Sequence, residues 1–349
     1  MENWKKALKA DSTNWLLEES DPAVRYMTLR DIVNAGEKEV KSARIKAHRE
    51  GPIATILDNM NPEGWWVHPG YVYTPKMRGT SWAILALAQM GGSMEEDKRI
   101  ATACNYLLHI SLSAGGQFSN AGEAFKTYSC LQGNMLYALM DLGCRDQRLA
   151  AAYEWTARTI TGEDLPSKTT ASGITPTSGE NAKLVPFTYI IGSLFPCRHA
   201  LHCGWAGAKQ MLALARLPEA HRTPLIKRAI QAGAKYFLTN DPATANFSGE
   251  NAPQPDPRWW KFTFPVAGFD LLQVAEALTA LDYGRDPRMS NLLSLIREKQ
   301  DNDGKWLLEK NYGYSHKWWV KYGTADKPSK WVTLRALRVL KAAYPEEQG

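Results

Sequence analysis

The 349-residue chain has no apolar run of membrane-spanning length, and its start, Met1-Glu2-Asn3-Trp4-Lys5-Lys6, lacks the apolar core of a signal peptide. It has no sustained alternation of β-branched residues, so strand signals are nearly missing and helix content well above average is expected. It has no basic stripe. The net charge is a modest +6, with Lys and Arg scattered among acidic residues, which leaves no nucleic-acid footprint. Five cysteines, an odd number, argue against a secreted disulfide framework. These absences predict a soluble, cytoplasmic, helical protein with no nucleic-acid partner and no transmembrane segment.

What is present is repetitive. Strongly apolar helices are predicted to begin near Pro22, Gly79, Cys130, Cys203, Phe264 and Lys330. Each of the first five is followed by a more polar, amphipathic stretch, and the segment from Trp4 to Leu17 supplies a sixth. The polar helix after the first apolar one carries a break signal at Gly51-Pro52. Apolar helices need cover on every side, whereas amphipathic ones need it on one, so the alternation suits an inner ring wrapped by an outer ring. One domain over 1–349 is expected, with an outer segment at 1–20. Long loops at 161–195 and 240–264, rich in Gly, Pro, Ser and Thr, are expected to cover the mouth of a cavity.

Chemistry-bearing residues concentrate in one place. Phe195-Pro196-Cys197-Arg198-His199-Ala200-Leu201-His202-Cys203-Gly204 packs two thiols and two imidazoles ahead of an apolar helix, and Cys130 stands at the start of another. Thiolate and imidazole are the ligands zinc favours, and helix N-termini lower thiol pKa values. Cys130, Cys197 and Cys203 with His202 or His199 are therefore the expected zinc ligands. Asp270, in Gly268-Phe269-Asp270-Leu271-Leu272, places a carboxylate in an apolar helix; it is the expected general acid or base, or a fourth metal ligand, with helix capping as its alternative.

Thirteen tryptophans are many for this length, and most fall in connecting segments. Trp66, Tyr73, Arg78, Trp260, Phe264 and Trp319 lie just before inner helices, so a mouth at the end where inner helices begin is expected to use them on a bulky apolar ligand. Arg78 with Lys76, Lys261, Lys317 and Lys321 at the same end would receive a carboxylate or diphosphate head group.

Gln300-Asp301-Asn302-Asp303-Gly304-Lys305-Trp306 has the form Gln-x-x-Asp-Gly-x-Trp, with weaker echoes at Asn61–Trp66 and Ala114–Phe118. It resembles the repeat of squalene-cyclase-like terpenoid cyclases and protein prenyltransferase β subunits. The resemblance implies an all-α, α6/α6 toroid with a hydrophobic central cavity. The Asp-x-Asp-Asp acid of class II cyclases and the aspartate-rich helix of class I enzymes are both missing. Prenyltransferases hold zinc at inner-helix starts, which the positions of Cys130 and Cys203 resemble. His202-Cys203-Gly204 also resembles the Cys-His-Gly zinc motif of lanthionine cyclases with two ligands exchanged.

Taken together these features predict an enzyme that transforms a hydrophobic isoprenoid or polycyclic molecule with zinc. The alternatives are a metal-free cyclase or isomerase using Asp270, and a non-catalytic binder of an apolar ligand or peptide. The zinc expectation is checked by elemental analysis of purified protein. Stoichiometric zinc should vanish in Cys203→Ser, fall strongly in Cys130→Ser and survive Cys104→Ser.

Overall fold

A computed structural model describes residues 3–122, 129–163, 203–247, 255–311 and 318–345. In chain order the α-helices among them are α1 (Thr13–Leu16), α2 (Pro22–Thr28), α3 (Glu37–Arg49), α4 (Gly51–Asp58), α5 (Thr80–Gln89), α6 (Lys98–Ser111) and α7 (Ser129–Asp141). They continue with α8 (Leu149–Thr161), α9 (Gly204–Arg216), α10 (Pro224–Leu238), α11 (Leu271–Thr279), α12 (Ser290–Glu298) and α13 (Lys330–Ala343). The one sheet among the described residues is a two-residue antiparallel ribbon, β1 (Leu307–Leu308) with β2 (Lys327–Pro328). No helix among the described residues is long and apolar enough to cross a membrane.

The helices form two concentric rings. Helix α5 packs on α7, α7 on α9, α9 on α11, α11 on α13, and α13 on α2. The circle closes where Tyr26 and Met27 of α2 press on Gly91, just past the end of α5. Outside run α3 with α4, then α6, α8, α10, α12, and finally α1 with the 3-10 turn Asn3–Ala7, which covers α13. This is the α6/α6 toroid that the alternation of apolar and polar helices predicts, with the inner starts close to their expected positions except that of α11, which begins at Leu271 and not near Phe264. Burial follows the same logic: every residue of α5 from Thr80 to Ala88 is buried, whereas α10 and α12 bury one stripe. The break at Gly51-Pro52 is real. Glu50 turns extended, and a proline enters the first turn of α4, where its missing N–H is harmless.

The repeated turn stitches the outer ring together. In Gln300–Trp306 the Trp306 indole N–H donates to Ile296 O (2.7 Å) on α12, and the Trp306 amide donates to Thr333 Oγ1 (2.9 Å) on α13. At Trp66 the indole donates to Ile56 O (2.8 Å) and the amide to Thr80 Oγ1 (3.2 Å), so outer and inner helices are tied in the same way. Phe118 keeps half of the pattern, its amide donating to Gln132 Oε1 (2.8 Å). Gly64 and Gly304, both at positive φ, lie against the backbone of the next outer element, at Thr102 and Ala10 respectively. The Gly304 contact joins the last outer helix to the first outer segment. Lys9 N and Ala10 O also bond the Gln300 side chain (2.6 and 2.9 Å).

Two glycine substitutions separate the two demands made on such a turn. Gly70 has φ +89° with open space around its missing Cβ, so Gly70→Ala should lower stability by about 1 kcal/mol, the left-handed penalty alone. Gly304→Ala should lose clearly more, because a forced backbone shift of about 1–3 kcal/mol adds to that penalty. Urea denaturation of the two variants measures the difference; equal losses would show that the Ala10 contact is loose.

Candidate functional site

The connection into α11 does not stay outside the inner ring. The segment 262–270 crosses the ring axis and is held by one side chain from each of three inner helices. Gln89 of α5 accepts from Val266 N (2.7 Å) and donates to Val266 O (3.4 Å). Lys209 of α9 donates to Gly268 O, and Arg335 of α13 donates to Thr263 O (2.7 Å). Helices α5 and α11 stand opposite one another in the ring, so the Gln89–Val266 pair spans it. Irregular backbone in a dry interior needs partners for its N–H and C=O groups, and these polar residues on otherwise apolar helices supply them.

On one side of this plug, the later turns of all six inner helices enclose a cavity of about 500 Å³. Phe264 and Val266 form its floor, and Met27, Tyr137, Met140, Leu212 and Val339 form apolar wall. Gln273 and Arg335 are the deep polar groups, while Arg30, Asp31, Asp141, Arg216, Glu276 and Arg338 are partly exposed toward the mouth. The mouth therefore opens where inner helices end, opposite to expectation. The physical reason lies in the aromatic connections, which fill the other end instead of lining it. Phe264 stacks on Trp331 (centroids 4.5 Å), and Trp318 packs edge-on against Trp82 and Tyr322 (6.2 and 5.6 Å).

Of the six residues expected to touch a ligand, Phe264 lines the cavity. Trp66 is fully buried in the repeat turn. Tyr73 packs on Trp82 at 4.8 Å. The Arg78 guanidinium lies over the Trp319 ring at 4.3 Å, whose indole in turn donates to Arg78 O (3.1 Å). Trp260 donates to Ala243 O (3.0 Å). Of the long loops, 164–195 and 248–254 lie outside the described residues, and 262–264 belongs to the plug and so floors the cavity instead of covering its mouth.

Asp270 caps α11: its Oδ1 accepts from Gln273 N (2.7 Å) and its Oδ2 from Thr263 N (3.0 Å). Both oxygens also bind Arg335, at 3.0 and 2.9 Å. The carboxylate is fully buried and is not part of the cavity wall. With four donors on it and no place on the cavity wall, the carboxylate takes the capping alternative.

The expected zinc ligands are divided. Cys197, His199 and His202 lie outside the described residues. Cys203 is buried at the N-cap of α9, and Cys130 is half-buried in the first turn of α7. Among the described residues no three of His, Cys, Asp and Glu come together as a metal would require. Beside both thiols lies the buried amine of Lys209, whose pKa burial pulls down while Cys130, Cys203 and Asp270 oppose.

The signal that singles out Asp270, an ionisable residue inside an apolar helix, also marks Lys209, Arg335 and Arg338, which sequence reasoning passed over. Arg335 donates to Glu276 through Nε and Nη2 (2.9 and 2.8 Å) besides its bonds to Asp270 and Thr263. Burial raises the Asp31 carboxyl, but Arg338 and Arg30 outweigh it and hold the group down to about 2. Asp141 accepts from Arg216 Nε (2.5 Å). Tyr137 accepts from Gln89 Nε2 (2.8 Å), and burial pushes its pKa up, so the hydroxyl stays neutral. Every carboxylate on the wall is thus ion-paired.

No family model and no curated protein matches the chain. Solved structures that match include a protein from Actinoplanes, at 14% identity, with 87% of this chain and 99% of that one covered and a TM-score of 0.31. They also include variants of type II terpene cyclase MstE from Scytonema. One, in complex with merosterolic acid A (product), has 13% identity, 87% and 97% coverage and a TM-score of 0.33. Another, with geranylgeranyl dihydroxybenzoate (substrate), has the same values.

Truncating the buried cation tests the site's framework. Arg335→Met leaves Asp270 and Glu276 without their guanidinium and should lower stability by about 3–5 kcal/mol. Chemical denaturation measures it. A loss below about 1 kcal/mol, the value of an exposed pair, would show that water replaces the guanidinium there.

Proposed function

We propose that this cyclase-like toroid holds an amphipathic small molecule of the isoprenoid or polycyclic class in its central cavity. The observation that carries the reading is the cavity itself. Its volume of about 500 Å³ falls within the ~300–1,000 Å³ typical of ligand sites, and every inner helix contributes to its wall. An apolar floor and wall suit a hydrocarbon body, and charged groups are confined to the mouth and one deep corner. The isoprenoid class rests on the resemblance of the Gln300–Trp306 turn to the terpenoid-cyclase repeat.

The lining favours holding such a molecule over protonating it. Protonating an alkene needs a carboxyl that still carries its proton, whereas Asp31 is held down to about 2 and so is ionised at neutral pH, and Asp141 and Glu276 are paired with arginines. Burial makes Tyr137 a weaker acid than usual. The binding reading therefore stands ahead of acid-catalysed cyclisation.

Calorimetric titration with geraniol, farnesol and farnesoic acid, followed by mass analysis of the recovered ligand, tests this. Saturable binding and unchanged ligand are expected. Leu212→Trp, which fills the cavity from α9, should weaken binding at least about tenfold, the loss expected when a bulky ring overpacks the ligand's space by ~1–3 kcal/mol. Failure of all three probes to bind would end the reading, and a changed ligand mass would restore the enzymatic one.

A further inference from the structure

We infer that the mouth of the cavity contains an oxyanion subsite, built on Arg338 with Arg30 beside it, that takes the carboxylate or phosphate head of the ligand. The inference rests on the reading that the cavity holds a small molecule, and it names the polar end of that molecule.

The four guanidiniums on the wall are not used alike. Arg335 gives all three nitrogens to Asp270, Glu276 and Thr263 O. Arg30 gives Nε and Nη2 to Asp31 (2.6 and 3.0 Å) and Nη1 to the Tyr26 hydroxyl (3.2 Å). Arg338 donates to Asp31 through Nη2, while its Nε is buried without a hydrogen-bond partner. A buried guanidinium N–H left unmatched is costly, and a turn of the guanidinium toward the mouth lets an oxyanion satisfy it through a short, charge-assisted bond. The Nε and Nη groups of arginine form a fork that matches two oxygens of a carboxylate or phosphate.

Charge in this corner points the same way. Arg30 and Arg338 share one carboxylate, Asp31. Lys341 stands in the same corner, donating to the carbonyls of Asp31 and Ile32 (2.9 and 3.1 Å). Two guanidiniums thus share a single carboxylate. The other carboxylate facing Arg338, Glu276, has both oxygens on Arg335. Burial, reinforced by the like charge of Arg30, pulls the Arg338 pKa down against the pull of Asp31. An added anion relieves that repulsion, whereas a cationic head would meet it.

The position sets the orientation. The Arg338 side chain keeps 28% of its surface exposed at the rim, while Phe264 and Val266 lie at the floor. The head group stays at the mouth, and the apolar body points down to the plug.

Farnesoic acid and methyl farnesoate differ only in the charged head, which makes them the deciding pair of probes. At neutral pH the acid should bind the wild-type protein at least roughly tenfold more tightly than the ester, as one charge-assisted hydrogen bond implies. Arg338→Met should erase that ratio by weakening the acid and leaving the ester unchanged. Arg338→Lys, which keeps the charge and the fold but lacks the Nε–H fork, should lose most of it. Equal binding of acid and ester to the wild type overturns the subsite and leaves the cavity reading standing. If neither binds, the cavity reading fails and the subsite falls with it. The wild-type ratio decides the matter even where Arg338→Met does not fold, and a ratio unchanged in Arg338→Lys overturns the assignment to this residue.

Discussion

Arg335 is the interaction on which the rest of the interior depends. From an apolar inner helix its guanidinium reaches two carboxylates of α11, Asp270 and Glu276, and a carbonyl of the crossing segment, Thr263. In a dry interior such a cation is tolerable because every donor has an acceptor, and each of the acids is tolerable because the cation is there. The assembly fixes three things at once: the start of α11, the path of the plug, and the deep polar corner of the cavity. The chain places a buried ionic network where the irregular segment 262–270 passes through the middle of the helical ring.

Around that network the ring is closed by a local device used repeatedly. A tryptophan after a glycine turn gives its indole N–H to the outer helix it follows and its amide to a threonine of the next inner helix. The glycine makes the tight approach to the neighbouring outer element. Because the last such turn lands on Ala10, the N-terminal outer segment completes the circle. Toroids of this kind bury each inner helix on both flanks, so stability is shared around the ring and no helix stands alone.

The cavity inherits its character from helix polarity. It lies at the carboxyl ends of inner helices, where helix dipoles and unbonded carbonyls present negative charge. Arg216 and Arg338 sit in the later turns of α9 and α13 and offset it, and their carboxylate partners Asp141 and Asp31 close the ion pairs. A polar collar over an apolar floor results.

Much of the fold was legible in the amino-acid order. Apolar helices beginning near Pro22, Gly79, Cys130, Cys203 and Lys330, and the polar ones between them, followed from periodicity, because burial on all sides and burial on one side leave different patterns in a helix. The start near Phe264 was misplaced: α11 begins at Leu271, since Phe264 was drawn into the crossing segment. The break at Gly51-Pro52 and the glycine-tryptophan turn were equally local, and so equally readable. The cavity's location was not. Nothing local tells that residues 262–270 pass through the ring, because the partners that hold them, Gln89, Lys209 and Arg335, come from helices up to 177 positions away. That crossing decides which end of the toroid is open, holds Asp270 as the cap of α11, and places Arg338 at a mouth. Sequence by itself determined which helices are inside. Tertiary structure alone decided which of their polar side chains face the cavity, since buried charges are positioned by partners that only the closed ring brings together.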